Sequence, residues 1–90
     1  MPHLFVKHVV KDFERWSDVF NAQRGAHEEY GMKLEWLMRD VNSPNTLVFM
    51  FEVESIARAQ EFMNRPGTEK IAELAGVTGE PLVMFLDTIK

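Results

Sequence analysis

The sequence predicts an α+β domain of order βαββαβ, with one four-stranded antiparallel sheet and its helices on a single face. Three features predict it. An apolar run from His3 to Val10 leads into a long amphipathic stretch from Asp12 to Tyr30. Two alternating runs, Met32 to Asp40 and Thr46 to Glu54, flank the turn formers Asn42-Ser43-Pro44-Asn45 and form a hairpin. Short helical pieces between Ser55 and Ala75 then return the chain to a last strand, Leu82 to Ile89. Two β-α-β halves sharing one sheet give this architecture.

In the first helix Phe13, Trp16, Phe20 and His27 fall on one stripe at helical spacing, and Glu14, Asp18, Asn21, Gly25 and Glu28 face water. Asp12 is placed to cap its start, and Gly31 to take the left-handed position at its end. Pairing Val41 with Thr46 sets Met38 against Phe49, Trp36 against Phe51 and Leu34 against Val53. That register collects an apolar face beneath the helices. The other face carries Glu35, Leu37, Arg39, Val48, Met50 and Glu52, with Lys7 of the first strand between the two glutamates. Such a half-apolar surface suits burial against a second copy, so a homodimer is expected. In the second half Ser55 caps a helix with Ile56, Ala59 and Phe62 or Met63 inward. Pro66-Gly67 breaks it, and a further turn points Ile71 and Leu74 inward.

Composition sets outer limits. Ninety residues make one domain, 1–90, and a chain of this size buries only about 60–65% of its unfolded surface. Its hydrophobic content of 46% is high for so small a body and leaves apolar surface for a partner or a cavity. The net charge is −4 with cations scattered, unlike the concentrated basic face that nucleic acid requires. There is no cysteine, which removes disulfides, thiolate metal sites and a thiol nucleophile. No leader-like start and no run of about 18 apolar residues occurs, so a cytoplasmic location without a membrane partner is expected.

The run His8-Val9-Val10-Lys11-Asp12-Phe13-Glu14-Arg15-Trp16 with Phe20, then Arg24 and Gly31, resembles the dimeric α+β barrel superfamily. The likeness is to its small antibiotic-biosynthesis-monooxygenase-like members. The hairpin ending in Asp40 with Pro44-Asn45, and Ala75-Gly76-Val77-Thr78-Gly79-Glu80-Pro81, extend the resemblance over essentially the whole chain. It implies ferredoxin-like protomers whose sheets meet as a barrel, with ligands held in each protomer between helices and sheet. Superfamily activities include cofactor-independent oxygenation, polyketide cyclisation, lactone isomerisation and haem handling. The Asn, Trp and His of the haem-degrading branch do not align here, which disfavours that chemistry.

Within such a cleft the candidate catalytic residues are His8, on the helix-facing side of the first strand, and His27, on the inward stripe of the first helix. Imidazole titrates near neutral pH and can exchange a proton with a phenol or enol. Trp16, Phe20 and Trp36 are candidate walls for a small planar aromatic ligand. Arg24 is a candidate anchor for an anionic group, because its fork binds carboxylates bidentately. Each has a plainer explanation: core packing for the aromatics, a helix-end position for His27, and a surface pair with Glu28 for Arg24. Lys7, Glu35, Glu52 and Asp87 look like a paired-carboxylate site but fall on the expected dimer face. No metal-ligand spacing, phosphate-binding glycine loop or nucleophile elbow is present, so no metal or cofactor is expected. Two classes remain: a cofactor-independent enzyme of the monooxygenase or cyclase type, and a non-catalytic dimeric module.

Overall fold

A computed structural model describes all 90 residues. The order is β1 (His3–Val10), α1 (Phe13–Ala22), α2 (Arg24–Glu29), β2 (Met32–Arg39), β3 (Thr46–Val53), α3 (Ile56–Met63), α4 (Thr68–Ala75) and β4 (Val77–Leu86). All pairings are antiparallel in the order β2-β3-β1-β4, so the fold is the ferredoxin-like α+β arrangement that the element order predicts. Both expected caps form: the Asp12 and Ser55 carboxylate and hydroxyl accept from the N–H groups of Arg15 and Arg58. Gly31 turns at φ 70°, where a Cβ would also lie 2.9 Å from a Glu54 carboxylate oxygen. No helix is long and apolar enough to cross a membrane.

The hairpin departs from the expected register. Leu34 lies opposite Phe51, but Trp36 lies opposite Met50 and Met38 opposite Val48, with a bulge at Glu35 between the two halves. The extra residue inverts the faces of everything after it. Trp36 and Met38 therefore leave the helix side, while Leu37 and Arg39 join it opposite Phe49 and Leu47. The guanidinium of Arg39 settles 4.1 Å over the ring of Phe13. Charge explains the choice. The expected register sets Glu35 against Glu52, whereas the bulged one sets Lys33 against Glu52 and leaves Glu35 to bond His3. Thus the side chain that Glu35 meets is His3 rather than Lys7.

Under the helices lies the core: Leu4, Val6 and Val10 of β1, Leu47, Phe49, Phe51 and Val53 of β3, and Trp16 and Phe20 of α1. The first helical segment breaks at Gln23, so its stripe continues on α2, where His27 is buried. In the second half Ala59 and Ala75 are buried, whereas Ile56 and Leu74 are exposed, contrary to their expected inward positions. α4 begins at Thr68, so Ile71 and Ala75 form its inner row and Leu74 falls outside it. Its last carbonyls, of Glu73 and Leu74, accept from the guanidinium of Arg15. β4 begins at Val77, five residues before the expected Leu82. Its ladder is interrupted opposite His8, between the pairs Lys7–Leu82 and Val9–Thr78. Pro81 lies in that interruption, where a missing N–H costs no ladder bond.

Candidate functional site

Between the helices and the sheet lies a cavity of about 290 Å³, walled mainly by apolar side chains from every layer. His8, His27, Trp16 and Phe20 line it, so the fold brings together four of the six residues singled out from the sequence. The other two are elsewhere. Trp36 stands on the opposite sheet face, edge-on to Phe5 with ring centroids 6.3 Å apart, because the Glu35 bulge turned it there. Arg24 is exposed at the start of α2 and makes no ion pair with Glu28.

His8 reaches the cavity by strand alternation: Leu4, Val6 and His8 point to the helix side, opposite Phe51, Phe49 and Leu47. The indole N–H of Trp16 donates to Nδ1 of His8 over 3.1 Å. Indole nitrogen can only donate, so Nδ1 is an acceptor and the neutral ring carries its proton on Nε2. That N–H has no partner within the chain. Burial lowers the pKa of His8 from 6.5 to about 4, so the ring is neutral at physiological pH. The arrangement makes His8 a hydrogen-bond donor toward the cavity.

His27 is 5% exposed and its Nδ1 has no hydrogen-bond partner. Three phenylalanines surround the ring, Phe51, Phe62 and Phe20, with centroids at 4.8, 5.2 and 5.1 Å. Burial first, then the positive charges of Arg24 and Arg65, lowers its pKa to about 4. A buried polar nitrogen without a hydrogen-bond partner costs about 1–3 kcal/mol. The two imidazoles do not touch: Phe49 meets His8 at 5.3 Å, Phe20 meets Phe49 at 5.3 Å, and Phe20 leads on to His27.

The polar side of the cavity comes from a residue that sequence reasoning passed over. Arg65, in the turn between α3 and α4, donates through Nη2 to the side-chain oxygen of Gln23 (2.9 Å) and through Nε to the carbonyl of Phe62 (3.2 Å). Its guanidinium stacks 4.2 Å over the ring of Phe62. Asn64-Arg65-Pro66-Gly67 reads locally as a helix breaker. The signal in hindsight is a cation inside a turn that must close over the sheet.

A larger, open depression of about 570 Å³ lies outside this turn and shares Met63, Arg65 and Thr68 with the cavity. Its remaining walls, among them Glu69, Lys70 and Glu73, are polar and of mixed charge. A small-molecule site is better served by the apolar cavity with a few convergent polar groups.

No protein-family model and no curated protein matches this sequence. Solved structures do match its fold. A Bordetella bronchiseptica protein described as an antibiotic biosynthesis monooxygenase superposes with a TM-score of 0.82, at 11% identity over 99% of this chain and 97% of that one. A mutant of SnoaB, a cofactor-independent oxygenase from Streptomyces nogalater, gives 0.74 at 16% identity over 99% and 94%. A further antibiotic biosynthesis monooxygenase gives 0.75 at 15% identity over the full length of both chains. Likeness at these identities concerns the backbone and not the activity. This chain has the α+β fold of the antibiotic-biosynthesis-monooxygenase-like proteins.

Proposed function

We propose that the protein binds a small aromatic or polyketide-like molecule between its helices and sheet and transforms it as a cofactor-independent monooxygenase or cyclase. The carrying observation is the apolar cavity between helices and sheet whose wall holds two neutral imidazoles, His8 with Nδ1 bonded to Trp16 and His27 with Nδ1 unpartnered. His27 is the proton acceptor, since one of its nitrogens bears a free lone pair. His8 donates through Nε2–H to the oxygen on which negative charge collects. Trp16 and Phe20, stacked with centroids 4.6 Å apart, supply a flat wall. In the oxygenase form, loss of one proton from a ring CH2 to imidazole leaves a carbanion that supplies the electrons. Dioxygen accepts them, a C–O bond forms as a peroxide that takes the proton back from the imidazolium, and loss of water with the carbon's second hydrogen leaves a carbonyl. SnoaB, described as a cofactor-independent oxygenase, supports this form by its fold.

A homodimer joined through the open sheet face completes the proposal. That face carries Phe5, Trp36, Met38 and Met50, with Leu82 and Met84 49% and 43% exposed. An uncovered apolar surface of this kind marks an interaction site.

The test is a thermal-shift screen of hydroquinones, polycyclic phenols and lactones on wild type, His8→Ala and His27→Ala, followed by oxygen uptake with each binder. A stabilising class whose effect weakens in both variants, with turnover in the wild type, supports the enzyme. Binding without turnover assigns the non-catalytic module instead, and a cavity that accepts none of these compounds overturns both.

A further inference from the structure

The charge of the cavity wall narrows what it can hold. Arg65 is its one charged residue, and no aspartate or glutamate lines it. No carboxylate lies within ion-pair distance of Arg65, and Glu69 and Glu73 line only the adjoining depression outside the turn. A guanidinium has five N–H donors. Two bonds, to Gln23 and to the Phe62 carbonyl, leave Nη1 and one hydrogen of Nη2 without a protein acceptor. This half-buried cation also adjoins the buried imidazole. Arg65 stacks on one phenylalanine, Phe62, whose ring meets His27 edge-on at 5.2 Å. Phe62 thus stands between the two groups, and all three line the cavity. Size adds a limit, because about 290 Å³ is at the lower end of small-molecule sites, which run from about 300 to 1,000 Å³.

We propose that the cavity selects a small aromatic acid: a planar one- or two-ring hydroxyaryl carboxylate whose carboxylate pairs with Arg65 and whose hydroxyl faces His27. This deepens the functional proposal above and rests on its premise that the cavity is the ligand site. The guanidinium fork matches the two carboxylate oxygens. The hydroxyl faces the His27 ring, whose Nδ1 has no partner within the chain. Gln23, at the junction of α1 and α2, accepts from the guanidinium and so holds in place the cation that the carboxylate would meet.

Titration of the full-length protein with 5-hydroxy-2-naphthoate, 1-naphthol and 2-naphthoate, followed by calorimetry and amide NMR shifts, tests this. The hydroxynaphthoate is expected to bind at least tenfold tighter than 1-naphthol and tighter than 2-naphthoate, with shifts at His27 and Phe62. Arg65→Met keeps the apolar stem on Phe62 and is expected to erase the preference over 1-naphthol while leaving 1-naphthol affinity unchanged. Should Arg65→Met fail to fold, Arg65→Lys is expected to keep the charge but lose most of the preference with the fork. Equal affinity for hydroxynaphthoate and naphthol, or a preference that survives the Arg65 variants, overturns the acid assignment and leaves the cavity as a binding site. Failure of all three probes to bind the folded wild type, or shifts confined to residues outside the cavity, overturns the premise as well.

Discussion

Trp16 donates its indole N–H to Nδ1 of His8 across 3.1 Å, and this bond decides which nitrogen of His8 a ligand meets. The donor comes from α1 and the acceptor from β1, so the tautomer is fixed by the packing of helix on sheet. Trp16 is 2% exposed, and Phe20 stacks on it at 4.6 Å, which holds the indole in place. Sequence periodicity shows Trp16 as core. Its second task depends on a contact eight residues away that alternation and helical period reveal only when combined.

The tautomer is directly measurable. In wild type, side-chain ¹⁵N shifts are expected to show His8 with its proton on Nε2. Trp16→Phe removes the donor and frees the ring to populate the other tautomer. It also costs about 1–3 kcal/mol through the lost hydrogen bond and the smaller ring. A wild-type His8 protonated on Nδ1 would contradict the bond.

Stability is expected to fall with acid before carboxylate titration alone would bring it down. His8 and His27 have folded pKa values of about 4 against 6.5 when exposed. Above pH 6.5 both are neutral in folded and unfolded chains, and their contribution to stability is complete. As pH drops from there toward 4 the unfolded chain takes up protons that the folded chain refuses, so the contribution is lost. At about 1.4 kcal/mol per pKa unit, and allowing for the partial exposure of His8, the two withdraw roughly 3–5 kcal/mol in all. Urea unfolding of wild type and His27→Phe between pH 7 and 5 separates this from the carboxylates. The variant is expected to show the shallower slope, and parallel curves would rule the account out for His27.

The open sheet face yields a prediction about assembly. Leu82 and Met84 lie on the exposed side of edge strand β4, level with Lys7 and Phe5 of β1. A carboxylate placed there disturbs no core contact, yet has to be desolvated in a sheet-to-sheet dimer. Met84→Glu is expected to keep the wild-type circular dichroism and to run as a monomer by light scattering where wild type runs as a dimer. An unchanged dimer would move the interface elsewhere.

Element order, both caps and the β1 alternation were legible because each rests on local chemistry: Asp12 and Ser55 before helical runs, Gly31 after one. The hairpin register was not. Alternation favoured burying Trp36 and Met38 with Phe49 and Phe51, yet the opposite face is itself apolar, so turning the two residues over costs little hydrophobic burial. The Lys33–Glu52 and His3–Glu35 pairings then decide the register in favour of the bulge. Site legibility divides the same way. His8, His27, Trp16 and Phe20 follow from periodicity, whereas Arg65 sits in a turn whose path only the packed helices define. Arg24 attracted attention as a cation on the first helix. The break at Gln23 leaves it on the surface.

His27→Phe is expected to raise stability and abolish ligand binding. The ring is already enclosed by Phe20, Phe51 and Phe62, and the neighbouring cavity has room for the added carbons. Substitution removes a buried nitrogen that has no hydrogen-bond partner, a change worth about 1–2 kcal/mol toward the folded state. It also removes the lone pair proposed to receive a proton or a ligand hydroxyl. A residue kept for packing alone shows no such conflict, so the two effects together distinguish function from structure. Thermal melts paired with hydroxynaphthoate titration read both. A variant that is more stable and blind to the ligand bears the role out, whereas a lower midpoint would mean that Nδ1 has a donor in solution, and undiminished binding would remove His27 from the site.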